Sequence, residues 1–125
     1  MTKAYDWTPA QLKTELITHG RNLTIKTNEY KGLCEAYAAA ERDYSMAFES
    51  KATVLRIEGM PVTIIERMVK GDKMVADLRY KRDVAKGVMK ACESAMNNIR
   101  VVIQLYQSIL KAEIEERNLE GRVNP

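Results

Sequence analysis

The chain reads as an all-α protein, a long antiparallel helical hairpin with a short N-terminal helix and a short helix at its tip. Three observations predict this. Structure-breaking residues are sparse, six glycines and three prolines in 125 residues, with no proline between Pro61 and Pro125. A β-rich domain needs turn residues every ~8–12 positions. Apolar residues recur every seven positions over long stretches, the mark of helices that pack along a seam. Hydrophobic residues make up 46% and charged residues 30% of the chain, a folded globular mixture and not a disordered one. The length is that of one domain, and the whole chain is read as a single helical domain.

The first helix is expected over residues 8–19. Thr8, Pro9 and Gln11 form a capping box with proline at the first helical position. Trp7 stands where it can staple onto Leu12, and His19-Gly20 offers a left-handed C-cap whose free carbonyls the imidazole can meet. A long helix is then expected over 21–58. Leu23, Tyr30, Tyr37 and Tyr44 form one seven-residue series, and Leu33, Ala40, Ala47 and Val54 a second. Cys34, Phe48 and Leu55 widen the stripe, and Lys51 continues the tyrosine series, which suggests that the seam opens there. Large tyrosines facing small alanines suit close interdigitation.

Residues 59–71 form the tip. Gly59 and Pro61 end the long helix, and Thr63-Ile64-Ile65-Glu66 reads as a second capping box for a short helix over about 64–70 that stops at Gly71. Asp72 is placed to cap the last helix, expected over 72–118. That helix carries Leu78, Ala85, Cys92, Ile99 and Tyr106 in one series, and Val75, Arg82, Met89, Met96, Ile103 and Leu110 in the other. Val88, Ala95, Val102 and Ile109 broaden the apolar face beyond what one partner helix requires. Glu113, Glu115 and Glu116 suit a helix C-terminus poorly and should fray or meet a basic partner. A helix of this length spans roughly 70 Å, twice a compact domain of this size, so the helix breaks at Gly87 or the chain is elongated.

The extra apolar width asks for a further surface. A second copy, giving a four-helix arrangement, meets that need, so a homodimer or higher oligomer is expected. Its self-association face comprises Tyr30, Tyr37, Tyr44, Val88, Ala95, Val102 and Ile109.

Catalytic chemistry finds little to work with. The single histidine, His19, leaves little scope for acid–base catalysis. No HExxH, ExxH pair, Cys/His cluster, GxSxG or phosphate-binding glycine loop is present, so no enzyme activity, metal or cofactor is expected. Lys70-Gly71-Asp72-Lys73 is a helix break. Cys34 and Cys92 lie on apolar helical faces and read as reduced, buried thiols. The first residues, Met1–Trp7, lack the apolar run of a leader, the last five carry no lipidation box, and no apolar run approaches ~18 residues. The expectation is a cytoplasmic protein without a membrane partner.

The charge distribution says more. Residues 66–90 hold eight basic and four acidic residues, a net +4, against +3 for the whole chain. One reading is a solvated face with pairs such as Asp77–Lys81 and Asp83–Lys86. The other is a patch for phosphate backbone or an acidic protein, with Arg79, Lys81, Arg82, Lys86 and Lys90 as phosphate-binding candidates. Only Tyr80 interleaves, which gives weak support for base stacking. The tip is also apolar. Met60, Val62, Ile64, Ile65, Met68 and Val69 either plug the end of the hairpin or form a patch that docks a partner. With their basic neighbours, the partner-binding candidates are Met60, Val62, Ile64, Ile65, Arg67, Met68, Lys70 and Lys73.

The segment from Leu55 to Arg79, continuing through Arg82-Asp83-Val84-Ala85, resembles small helical-hairpin proteins from phages and prophages of Gram-positive bacteria. The shared features are an EGxPxTxIxxxxKGD turn, here Glu58 to Asp72, between two long helices. The resemblance covers roughly residues 30–115 and leaves Trp7–Gly20 outside it. It implies a phage origin, the cytoplasm of an infected bacterium and a hairpin fold, and it brings no activity or catalytic residues. Three functions follow as expectations: a non-enzymatic accessory protein that self-associates and binds a host or phage protein through its tip; a nucleic-acid-binding accessory of phage recombination or replication; and a counter-defence inhibitor such as an anti-CRISPR protein, whose basic tip argues against mimicry of DNA.

Overall fold

In the computed structural model, which describes residues 7–123, the chain is all-helical. The elements are α1 (Pro9–Ile57), α2 (Val62–Gly71) and α3 (Lys73–Val123). The expectations about a leader in Met1–Asp6 and about Asn124-Pro125 lie outside the described residues.

The N-terminal capping box forms as its residues dictate. The Thr8 amide donates to Gln11 Oε1 at 2.7 Å and the Gln11 amide donates to Thr8 Oγ1 at 3.3 Å. The expected stop at Gly20 does not occur: α1 is one helix from Pro9 to Ile57. Two causes are visible. Glycine inside a helix costs only about 1 kcal/mol relative to alanine. The seven-residue phase also runs on unbroken through the site, because Leu16 precedes Leu23 by seven and Leu12, His19, Lys26 and Leu33 share one register. Leu12 is buried, and Leu16, His19 and Leu23 are half-buried on that same stripe. His19 is therefore a mid-helix residue. Its Nε2 lies 3.8 Å from Glu15 Oε2 one turn back, and its ring centroid lies 5.4 Å from that of Tyr106.

The end of α1 is where glycine is needed. Gly59 has φ +83°, in the left-handed region. The Met60 amide donates to Leu55 O at 3.1 Å and the Gly59 amide to Arg56 O at 3.0 Å, the paired bonds of a Schellman cap. The accompanying apolar contact is present as well, since Met60 packs against the cluster that contains Leu55.

Helix α2 starts at Val62, with Pro61 at the N-cap and no side-chain cap, so the expected Thr63 box is not formed. The fixed φ of proline already turns the chain into the helix, and the Ile64 amide donates to Pro61 O. At the far end Asp72 does what its position predicts: its Oδ2 accepts the Val75 amide at 3.2 Å and starts α3. Helix α3 passes through Gly87 without a break and continues past residue 118 to Val123, with Glu113 paired to Arg117 at 4.0 Å. A lone glycine does not end a helix whose flanking turns are held by packing.

The contacts divide the chain into two units. One comprises Glu29–Cys92, and the other comprises the residues up to Asn28 together with those from Glu93 onward. The core of the first unit is Ala52 and Leu55 from α1, Ile65 and Val69 from α2, and Val75 from α3, with Tyr44, Ala47, Phe48 and Met60 packed around it. In the other unit Leu12 and Met96 are buried, and Tyr106 carries the rings of Trp7 and His19 at 5.5 and 5.4 Å. Every member of the two predicted α3 series, from Val75 to Leu110, is buried or half-buried, as its period requires.

Candidate interaction surface at the tip

Helix α2 is amphipathic over ten residues, and its two faces do different work. Ile65 and Val69, one turn apart, point into the core and are 6% and 0% exposed. Ile65 is therefore a structural residue, which removes it from the expected partner-binding set. Its spacing to Val69 is the i, i+4 stripe of a helix that must cover the end of α1 and α3. Met60 is half-buried for the same reason. Val62 is 82% exposed, and Ile64 and Met68 are partly exposed on the outer side.

Two further apolar residues are exposed on the flanking helices. Ile57, in the last turn of α1, is 82% exposed, and Met74, in the first turn of α3, is 70% exposed. The sequence did carry a signal for Ile57, which belongs to no seven-residue series and so is a large apolar side chain without a seam to enter; Met74 is in phase with Val88, Ala95, Val102 and Ile109, the face that broadens α3. Met74 lines two adjoining shallow grooves. One is walled by Ala47, Val54 and Val75, and the other by Leu78. Lys51 and Asp72, paired at 3.7 Å, edge the first. Lys51 enters the tyrosine series because its ammonium reaches the cap of α3.

The basic tip residues are accessible. Arg67, Lys70 and Lys73 are exposed; Lys70 lies 2.9 Å from Glu66 and Lys73 lies 3.5 Å from Asp77. The Lys70 hydrogen bond, reinforced by its charge, holds the Glu66 carboxyl below its ordinary value of 4.5.

The five phosphate-binding candidates separate into two groups. Arg82 sits in the seam as its series predicts. Its Nη2 is 3.0 Å from Asp83 Oδ1, its Nε is 3.6 Å from Glu41 Oε2, and its guanidinium lies 4.4 Å above the Tyr44 ring. The hydrogen bond to Asp83, first among the causes, raises its pKa, and burial opposes it. Arg82 is thus spoken for by its own chain. Arg79 is half-buried, while Lys81, Lys86 and Lys90 are exposed. The expected Asp77–Lys81 and Asp83–Lys86 pairs do not form, because Asp77 engages Lys73 and Asp83 engages Arg82.

Of the expected self-association face, Tyr30, Tyr37 and Tyr44 are half-buried, and Tyr44 packs against Phe48 and Arg82 within the chain. Ala95, Val102 and Ile109 are half-buried, and Val88 is exposed. Among the described residues no group of three or more His, Cys, Asp or Glu is arranged to hold a metal, and no helix is long and apolar enough to cross a membrane. Comparison with protein-family models, curated proteins and solved structures gives no match to this chain.

Proposed function

We propose that this chain is a non-enzymatic accessory protein of phage type, built as an antiparallel helical hairpin, that self-associates through its heptad faces and binds a protein partner through its tip. The observation that carries the binding role is that Ile57, Val62, Ile64, Met68 and Met74 are all exposed in and around α2, in the same stretch of chain as exposed Arg67, Lys70 and Lys73. An apolar surface that the core does not use, accompanied by cations, suits a partner with apolar anchors and acidic neighbours. The flexible methionines let such a surface adapt to its partner's shape. The hairpin is supported by the pairing of Lys51 with Asp72 and of Glu41 with Arg82, in which falling positions on α1 meet rising positions on α3. Extended along the chain, that register sets Cys34 level with Met89, three residues (~4.5 Å along the helix) from Cys92, within reach of a short bis-maleimide that should link the two thiols in one chain.

The test of the binding role is capture of a partner from bacterial lysate by the native chain and by Val62→Asp. Val62 is almost free of neighbours, so the variant should keep its helicity by circular dichroism and lose the partner. Retained capture would move the site elsewhere. A second reading, binding to nucleic acid, is favoured by exposed Lys81, Lys86 and Lys90; Asp77 and Asp83, the carboxylates nearest the first two along the helix, are engaged with Lys73 and Arg82. It requires a shift of DNA mobility at ~50 mM salt, where even non-specific binders respond. No shift there removes it.

A further inference from the structure

Helix α3 carries a second heptad stripe. Ala95, Asn98, Val102, Leu105, Ile109 and Ala112 alternate by three and four residues, and at 3.6 residues per turn their stripe is centred about 100° around the helix from the buried one. In the structure Asn98, Leu105 and Ala112 are exposed and the other three half-buried; Leu105 is 54% exposed and Val101, on the stripe's edge, 62%. Between Ser94 and Ala112 the charged residues are Arg100 and Lys111, and both fall on the opposite side of the helix. An uncharged stripe of this kind gives nothing to an acidic or basic partner, but it matches itself. The outer face of α1 is mixed: exposed Ile17 and Ile25 stand among Thr14, Thr18 and Thr24, whose hydroxyls each donate to the carbonyl four residues back in the same helix.

Charge decides the direction of pairing. Along α3 the charged residues nearest the stripe in its own seven-residue phase are Lys81 before it and Glu116 after it, with Glu120 one turn further on. Parallel pairing sets Glu116, which continues the stripe, against the same residue of the second copy, and like charges at such positions are destabilising. Antiparallel pairing brings Lys81 of one copy level with Glu116 and Glu120 of the other. Packing then selects the register. With Ala95 opposite Leu105 of the second copy and Asn98 opposite Val102, small side chains face large ones, and Lys81, which shares the seven-residue phase of Ala95, falls between Glu116 and Glu120.

We propose that residues 95–112 of α3 pair antiparallel with the same stretch of a second copy. This rests on the self-association part of the reading above and adds its surface, direction and register. The test uses the full chain with Cys34→Ser and Cys92→Ala, carrying either Ala95→Cys or Leu105→Cys. A mixture of the two should form a disulfide-linked pair on mild oxidation, at least tenfold faster than either chain alone. Self-linking of the Ala95→Cys chain at the faster rate would show parallel pairing and overturn the proposal. No linking in a chain that light scattering weighs at twice 14.2 kDa would place self-association on another surface, which overturns the proposal and spares the broader reading. A mass of one chain at ~100 μM would overturn both.

Discussion

The two units of this molecule are built from the same long helices and end up with different degrees of closure. In residues 29–92 a third element is available: α2 folds its Ile65–Val69 edge onto α1 and α3, and a core of five buried side chains results. In the other unit the described residues form no third helix, only the stretch of α1 up to Asn28 and that of α3 from Glu93. There Leu12 and Met96 are buried, while Ile17, Ile25, Val101 and Leu105 remain more than half exposed. Two helices can hide one stripe each. A third lets more side chains be surrounded, a core cluster of five in residues 29–92 against two buried side chains among the described residues of the other unit.

The largest effect should separate the two units directly. Leu55→Ala removes a buried side chain from the closed core and should cost about 2–4 kcal/mol in denaturant unfolding. Tyr106→Ala, which strips the ring contact from Trp7 and His19 in the open unit, should cost about half as much, since the tyrosine is half-buried. Equal losses would end the distinction between a closed unit and an open one.

Next comes the seam itself. Arg82→Met keeps much of the length and loses the contacts to Asp83, Glu41 and Tyr44; about 1–2 kcal/mol should be lost. Combining it with Tyr44→Leu in a double-mutant cycle isolates the ring contact, and additivity would show that the stacked guanidinium contributes nothing. A pair of glycine substitutions is smaller and of opposite sign. A Cβ added at Gly20 meets nothing within 4 Å and its backbone is helical, so Gly20→Ala should raise stability by about 0.5–1 kcal/mol. Gly59→Ala, at φ +83°, should lower it by about 1 kcal/mol. A loss at Gly20 would reinstate a helix end there. The smallest effect is the Glu66–Lys70 pair at the tip. In an NMR titration Glu66 should lose its proton below 4.5 and return to that value in Lys70→Met. Its modest contribution to α2 is present at neutral pH and lost as pH falls through that midpoint.

Much of the fold was legible beforehand, and the exceptions follow one rule. The α3 seam, the Thr8–Gln11 box, the Gly59 stop and the Asp72 cap all depend on a few neighbouring residues or on a regular period. Errors arose where a local signal competed with a longer one. Gly20 resembles a C-cap only when the register of Leu12, Leu16 and His19 with Leu23 and Leu33 is overlooked. Thr63 resembles an N-cap only until Pro61 takes that place. At the tip the composition of the surface could be read, but its division could not. Ile64 and Ile65 are adjacent and chemically identical, and the core takes one of them.

The sequence by itself determined that the chain is helical, where its seams run and which residues end α1 and begin α3, because period and capping are properties of short stretches. Only the tertiary structure decided that Ile65 is core while Ile57 and Met74 are surface, that Arg82 is held by Tyr44, Glu41 and Asp83 and not left for phosphate, and that one unit is closed and the other open. Those outcomes depend on which helices are within reach of one another, and a one-dimensional pattern holds the demand for a partner without saying whether this chain can meet it.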